Sequence, residues 1–77
     1  MKKDLYSPGD LWQLADGNKV IVVSLEKDSD FGILVNSAIY NGPWVSLRTI
    51  YRDSALDFSE FLTGAVQIGT AEILLPA

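Results

Sequence analysis

The stretch Lys19-Val20-Ile21-Val22-Val23-Ser24-Leu25 constrains the fold of this 77-residue chain more than any other. Its β-branched side chains suit a pleated backbone. They are apolar at both odd and even positions, and successive side chains of a strand point to opposite faces. The run therefore predicts a strand covered on both sides. Just upstream, Ala15-Asp16-Gly17-Asn18 carries an Asp-Gly pair, which readily takes the positive φ values of a tight hairpin turn. With Leu11-Trp12-Gln13-Leu14 as the preceding strand, these segments predict a hairpin.

The remaining segments read as more short strands and one helix. Residues 1–10 form a polar lead-in that ends in the turn cluster Ser7-Pro8-Gly9-Asp10. Glu26-Lys27-Asp28-Ser29-Asp30 reads as a charged, flexible connection, and Phe31 to Tyr40 as a third strand kinked near Asn36-Ser37. Asn41-Gly42-Pro43 is a second turn, leading into a fourth strand from Trp44 to Tyr51 in which Trp44 and Ile50 break the polar parity. Leu56, Phe58, Phe61 and Leu62 then fall at helical spacing. Ser54 with Asp57 three residues later resembles a capping box, and Gly64 is placed to close the helix, so the helix is expected over Ser54–Leu62. Ala65 to Ile68 and Ala71 to Leu75 read as two final strands separated by Gly69-Thr70.

A chain of this size buries only ~60–65% of the surface its unfolded form exposes. Curling a small antiparallel sheet hides its edges at least cost. The expected fold is mostly β: a single domain over residues 1–77, built as a small, partly open SH3-like barrel with one short helix. The alternative is an α+β roll with the helix across one open face. Leu11, Val20, Val22, Ile33, Val35, Val45, Leu47, Phe58, Phe61, Ile68 and Ile73 are the expected core.

Cysteine and histidine are both absent. This excludes disulfide frameworks, zinc fingers, thiol nucleophiles and Ser-His-Asp triads. General acid–base work would fall to carboxylates, Lys, Tyr or Arg. Glu26, Asp28 and Asp30 form the densest carboxylate group, and Asp-x-Asp offers oxygen ligands, but the glycine and glutamate of an EF-hand loop are missing. The group reads as a solvated hairpin tip, so no metal site and no cofactor are expected. Asp53, Asp57 and Glu60 read as helix-capping charges. The glycines form no phosphate-cradling motif. Ten acidic residues against six basic give a net charge of −4, which suits a basic protein partner and argues against duplex nucleic acid, since duplexes are bound by neutralising phosphates. The longest apolar run in the body, Val20–Val23, is too short to span a membrane. Met1-Lys2-Lys3 leads into no apolar segment of signal-peptide type, and a cytoplasmic protein is expected.

The aromatic residues carry the functional expectation. Tyr40, Trp44 and Tyr51 sit at strand ends or beside turns with Arg48 nearby, and exposed Trp, Tyr and Arg dominate binding hot spots. These four residues are the candidate binding site, with Trp44 and Tyr40 as the anchor. The chain is expected to be non-enzymatic and to bind a protein partner, as a phage or bacterial regulator that modulates or inhibits a larger enzyme. A structural subunit that self-associates through a free sheet edge is a further reading.

Ser7-Pro8-Gly9-Asp10-Leu11-Trp12 followed by Lys19-Val20-Ile21-Val22-Val23-Ser24 resembles the start of the MazF/PemK-like toxins. Those begin with a Gly-Asp-apolar-Trp strand and a Val-rich strand ending in Ser. Ile68-Gly69-Thr70 after a helical turn is similar as well. The resemblance implies an SH3-like barrel, a homodimer and a metal-independent endoribonuclease of the toxin–antitoxin kind. Lys19 stands where that family has Arg-Pro, and Arg48 with Thr49 would take the place of its other catalytic residues. On this alternative, Lys19, Arg48 and Thr49 hold and polarise the scissile phosphate.

Overall fold

The computed structural model describes residues 6–28, 30, 32–42 and 50–72. Five strands and one helix follow one another: β1 (Asp10–Gln13), β2 (Lys19–Asp28), β3 (Gly32–Ile39), β4 (Tyr51–Ser54), α1 (Ala55–Phe61) and β5 (Val66–Thr70). All pairings are antiparallel, in the order β4-β3-β2-β1-β5. The last strand thus returns to pair with the first, and α1 lies in the connection between the two edge strands. This is the small, partly open barrel with one short helix that the sequence predicts.

The first hairpin forms as expected. Leu11 pairs with Ile21 and Trp12 with Val20. In the turn, the Asn18 amide donates to the Asp16 carboxylate at 2.9 Å, and the Gly17 amide donates to the Leu14 carbonyl at 2.9 Å.

β2 is covered on both sides. Val20, Val22 and Leu25 face one core, with Val35, Phe58, Leu62 and Tyr6. Ile21 and Val23 face a second, smaller cluster with Ala38, Leu11, Tyr40, Ile50 and Ala71. Ile21 and Val22 are adjacent in sequence, and both are fully shielded from solvent. A register shift between Val22 and Ser24 leaves Val23 as an extra residue opposite Asn36-Ser37. The kink expected on β3 is therefore a bulge on its partner. The bulge resets the alternation of β2, so Leu25 joins Val20 and Val22 while Ser24 and Glu26 turn to the opposite face.

Several expectations are corrected. Glu26-Lys27-Asp28 is not a flexible connection: it extends β2, pairing with Leu34, Ile33 and Gly32 of β3. The segment keeps its charge because its pairing comes from the backbone. The first of the two final strands, β5, runs on through Gly69-Thr70, where a break was expected; the second, expected from Ala71 to Leu75, lies outside the described residues from Ile73 onward. The register of β5 against β1 shifts at Ile68, since Leu11 pairs with Gly69 and Trp12 with Gln67. β5 is an edge strand exposed along its whole length, and Ile68, expected in the core, is 44% exposed. The fourth strand is Tyr51–Ser54 where it is described; the segment from Trp44 to Thr49, with core candidates Val45 and Leu47, and Ile73 lie outside the described residues.

The polar lead-in contributes a core residue. Tyr6 is buried, with its ring edge-on to Phe58 at 5.0 Å and to Trp12 at 6.3 Å, and its hydroxyl meets Ser59 Oγ of the helix. Among the described residues the buried Trp12 indole N–H has no hydrogen-bond partner.

α1 starts where its cap predicts. Ser54 Oγ accepts from the Asp57 amide at 3.1 Å, and Asp57 occupies the first turn. Phe58 and Leu62, one turn apart, carry the buried stripe. Leu56 points outward at 71% exposure, and Phe61, expected in the core, is 49% exposed.

Gly9 extends the ladder of β1 to both of its neighbours. Its amide donates to the Val22 carbonyl and its carbonyl accepts from the Ala71 amide, both at 2.8 Å, so one residue ties β2 to the end of β5. Its φ is +94°, and a Cβ there would stand 2.8 Å from the Ala71 carbonyl oxygen. Gly17 has the same φ but open space around it. Gly17→Ala should therefore cost only the positive-φ penalty of about 1–2 kcal/mol, whereas Gly9→Ala should cost that plus the clash and unfold at distinctly lower urea. Equal midpoints for the two variants would show that the approach of Ala71 to Gly9 is not tight.

Candidate functional site

Three described strands and the end of the helix build one open cleft. From β2 comes Val20, from β3 Ser37 and Ile39, from β4 Tyr51 and Asp53, and from α1 Phe61. The register explains the convergence. Val20 pairs with Ile39 and Ser37 with Tyr51, and directly paired residues share a face. Asp53 pairs with Val35 two residues along and faces the same way. The cleft has a volume of about 340 Å³ and is lined mostly by apolar atoms, within the range of pockets that hold small ligands or side chains.

The rim is open. Tyr51 is 57% exposed, and Ile39 and Phe61 are also exposed. Phe61 serves two surfaces, since its ring lies 6.1 Å from that of the buried Phe58 while its outer side lines the cleft. The core thereby fixes one wall. Val20 and Ser37, both buried, form the floor. Among the described residues Asp53, half-buried, brings the one carboxylate of the lining, and it makes no ion pair or hydrogen bond with them.

The opposite face of β2, β3 and β4 carries a polar ladder. Asn36 Nδ2 donates to Ser24 Oγ at 2.9 Å and to Glu26 Oε2 at 3.3 Å, and Arg52 Nε meets the same Glu26 oxygen at 2.9 Å. Both members of the ion pair are about half exposed, so solvent screens it and it contributes little.

The residues singled out from the sequence fall on different surfaces. Tyr51 is at the cleft. Tyr40 packs beside Ile21 and Ala38 on the other face, and its amide donates to the Lys19 carbonyl at 2.8 Å. The structure therefore does not join Tyr40 and Tyr51 into one patch. Lys19 is exposed at the start of β2. Trp44, Arg48 and Thr49 lie outside the described residues, so Tyr51 is the binding candidate that the structure puts in a cavity. Of the acidic group expected to cap the helix, Asp57 sits in the first turn, Glu60 lies in the last, and Asp53 faces the cleft. Asp53, Ile39 and Phe61 were not legible as site residues. Each is ordinary in its own segment, and only cross-strand register and the helix that follows β4 unite them. Among the described residues no group of His, Cys, Asp or Glu is placed to hold a metal ion, and no helix is long and apolar enough to cross a membrane.

Because Tyr51 is exposed and Phe61 half so, the cleft can be emptied without dismantling the core. Tyr51→Ala should change stability by no more than about 1 kcal/mol, against about 3–5 kcal/mol for Phe58→Ala, as read from chemical denaturation. A large loss of stability in Tyr51→Ala would make the residue structural and remove it as a binding candidate. Compared with protein-family models, with curated proteins and with solved structures, the chain matches none.

Proposed function

We propose that the protein is a small, acidic, non-enzymatic binding module that seats a side chain of a protein partner in the cleft beneath Tyr51. The observation that carries this reading is the open apolar cavity flanked by exposed Tyr51, Ile39 and Phe61. Such a rim leaves large apolar surface in water, and covering it on association is favourable. Tyrosine at the edge of a concave apolar site brings broad contact area with few rotatable bonds, which is why it recurs at interface hot spots. The net charge of −4 draws basic partners toward the surface and speeds encounter. Trp44 and Arg48 remain part of the proposed binding surface, with Tyr40 a separate contact on the opposite face of the sheet.

The lining of the cleft favours binding over turnover. Among the described residues its polar groups are the Ser37 and Tyr51 hydroxyls and the Asp53 carboxylate, with neither an imidazole nor a cation placed beside them. Regulation of a larger enzyme, by occupying one of its surfaces, is the role that such a module best serves.

Selection of peptides from a displayed library against the wild-type protein tests the reading. Selected peptides should bind at least tenfold more weakly to a folded Tyr51→Ala, Phe61→Ala double variant, a loss of about 1.4 kcal/mol or more. Equal affinity for the two proteins would remove the cleft as the binding site. Incubating the protein with single-stranded RNA in the presence of a chelator supplies the counter-test. Cleavage that Lys19→Ala abolishes would replace the binding reading with a MazF/PemK-like endoribonuclease.

A further inference from the structure

Resting on the reading of the cleft as a seat for a partner's side chain, we infer that the side chain is cationic, a lysine or arginine presented by the partner protein. The inference starts from Asp53. Asp53 lines a mostly apolar cavity alongside the hydroxyl residues Ser37 and Tyr51, is half-buried, and has no ion-pair or hydrogen-bond partner among the described residues. While the cleft is open, water solvates the carboxylate. An uncharged apolar occupant would strip the water away and leave an ionised group unpaired, a penalty that cancels the gain from covering the apolar walls. An ammonium or guanidinium replaces the lost water with an opposite charge.

The other lining residues fit the same ligand. Tyr51 and Phe61 place two aromatic rings in the cavity with Asp53, and a cation over an aromatic face is attracted by the ring's quadrupole. Val20 and Ile39 offer aliphatic surface to the methylene stem that a lysine or arginine carries behind its charge. The ladder on the opposite face supplies a contrast. There Arg52 already satisfies Glu26, and that carboxylate has no comparable demand for a cation. The overall charge of −4 acts in the same direction at longer range.

Two probes that differ in the charged group separate this inference from the reading beneath it. Nα-acetyl-lysine methylamide and Nα-acetyl-norleucine methylamide share the aliphatic stem, and only the first ends in an ammonium. Each is titrated into isotope-labelled protein while the amide resonances of Ile39, Tyr51, Asp53 and Phe61 are followed by NMR. The lysine probe should bind about fivefold or more tightly than the norleucine probe, the equivalent of about 1 kcal/mol for a cation at such a site. Asp53→Asn, which keeps the shape of the side chain, should lower the lysine probe to the level of the norleucine probe while the other resonances report an intact fold. Equal binding of the two probes to the wild-type cleft would overturn the cationic ligand and leave an apolar seat. Failure of both probes to shift the cleft resonances at millimolar concentration would overturn the seat as well.

Discussion

β2 has to satisfy two apolar surfaces at once. Val20 and Val22 fill the core beneath the helix, while Ile21, between them, is fully shielded on the other side. In a chain of 77 residues there is too little material for a thick core, and a central strand buried on both faces uses each residue of its run. Everything else is arranged around that strand. β1 and β3 flank it, Gly9 stitches its Val22 carbonyl to the end of β5, and the helix lays Phe58 and Leu62 over it. A polar substitution at Ile21 or Val22 would leave an unpaired group in one core or the other, and neither face of β2 could relieve it by turning to water.

The cleft depends on the same strand. Val20 forms part of its floor while belonging to the main core, and Phe61 forms a wall while its ring leans on Phe58. The site therefore has rigid backing and a soft rim, with Tyr51 free to adapt. A rigid base limits the entropy lost when a partner is captured. The bulge at Val23 separates two regimes on the reverse face: apolar cover around Ile21 on one side, and the Ser24–Asn36–Glu26–Arg52 ladder on the other. One extra residue thus decides which part of the sheet is dry and which part faces water.

What could be read from the sequence was local. The two-faced run at Val20–Val23, the Asp16-Gly17 turn and the Ser54 cap each carry their own chemistry within a few residues, and all three stand in the structure. Hidden were the features that need a distant partner. Tyr6 lies in a stretch that reads as a polar lead-in, and its main cover, Phe58, comes from far along the chain, with Trp12 of β1 beside it. Glu26 to Asp28 read as too polar for a strand, yet β3 supplies the pairing. Ile68 carried a strand-like pattern, but its strand is an exposed edge of the sheet. The cleft was hidden for the same reason, since Ile39, Asp53 and Phe61 meet only through strand register and the helix that follows β4.

Native-state hydrogen exchange of the β2 amides tests this account most directly. If burial on both faces makes β2 the last element to open, the Ile21 and Val22 amides exchange only through global unfolding, with an opening free energy equal to that from denaturant titration, while β5 amides exchange through far cheaper local openings. Ile21 and Val22 amides that open as readily as those of β5 would contradict the claim that the doubly buried strand holds the barrel and its cleft together.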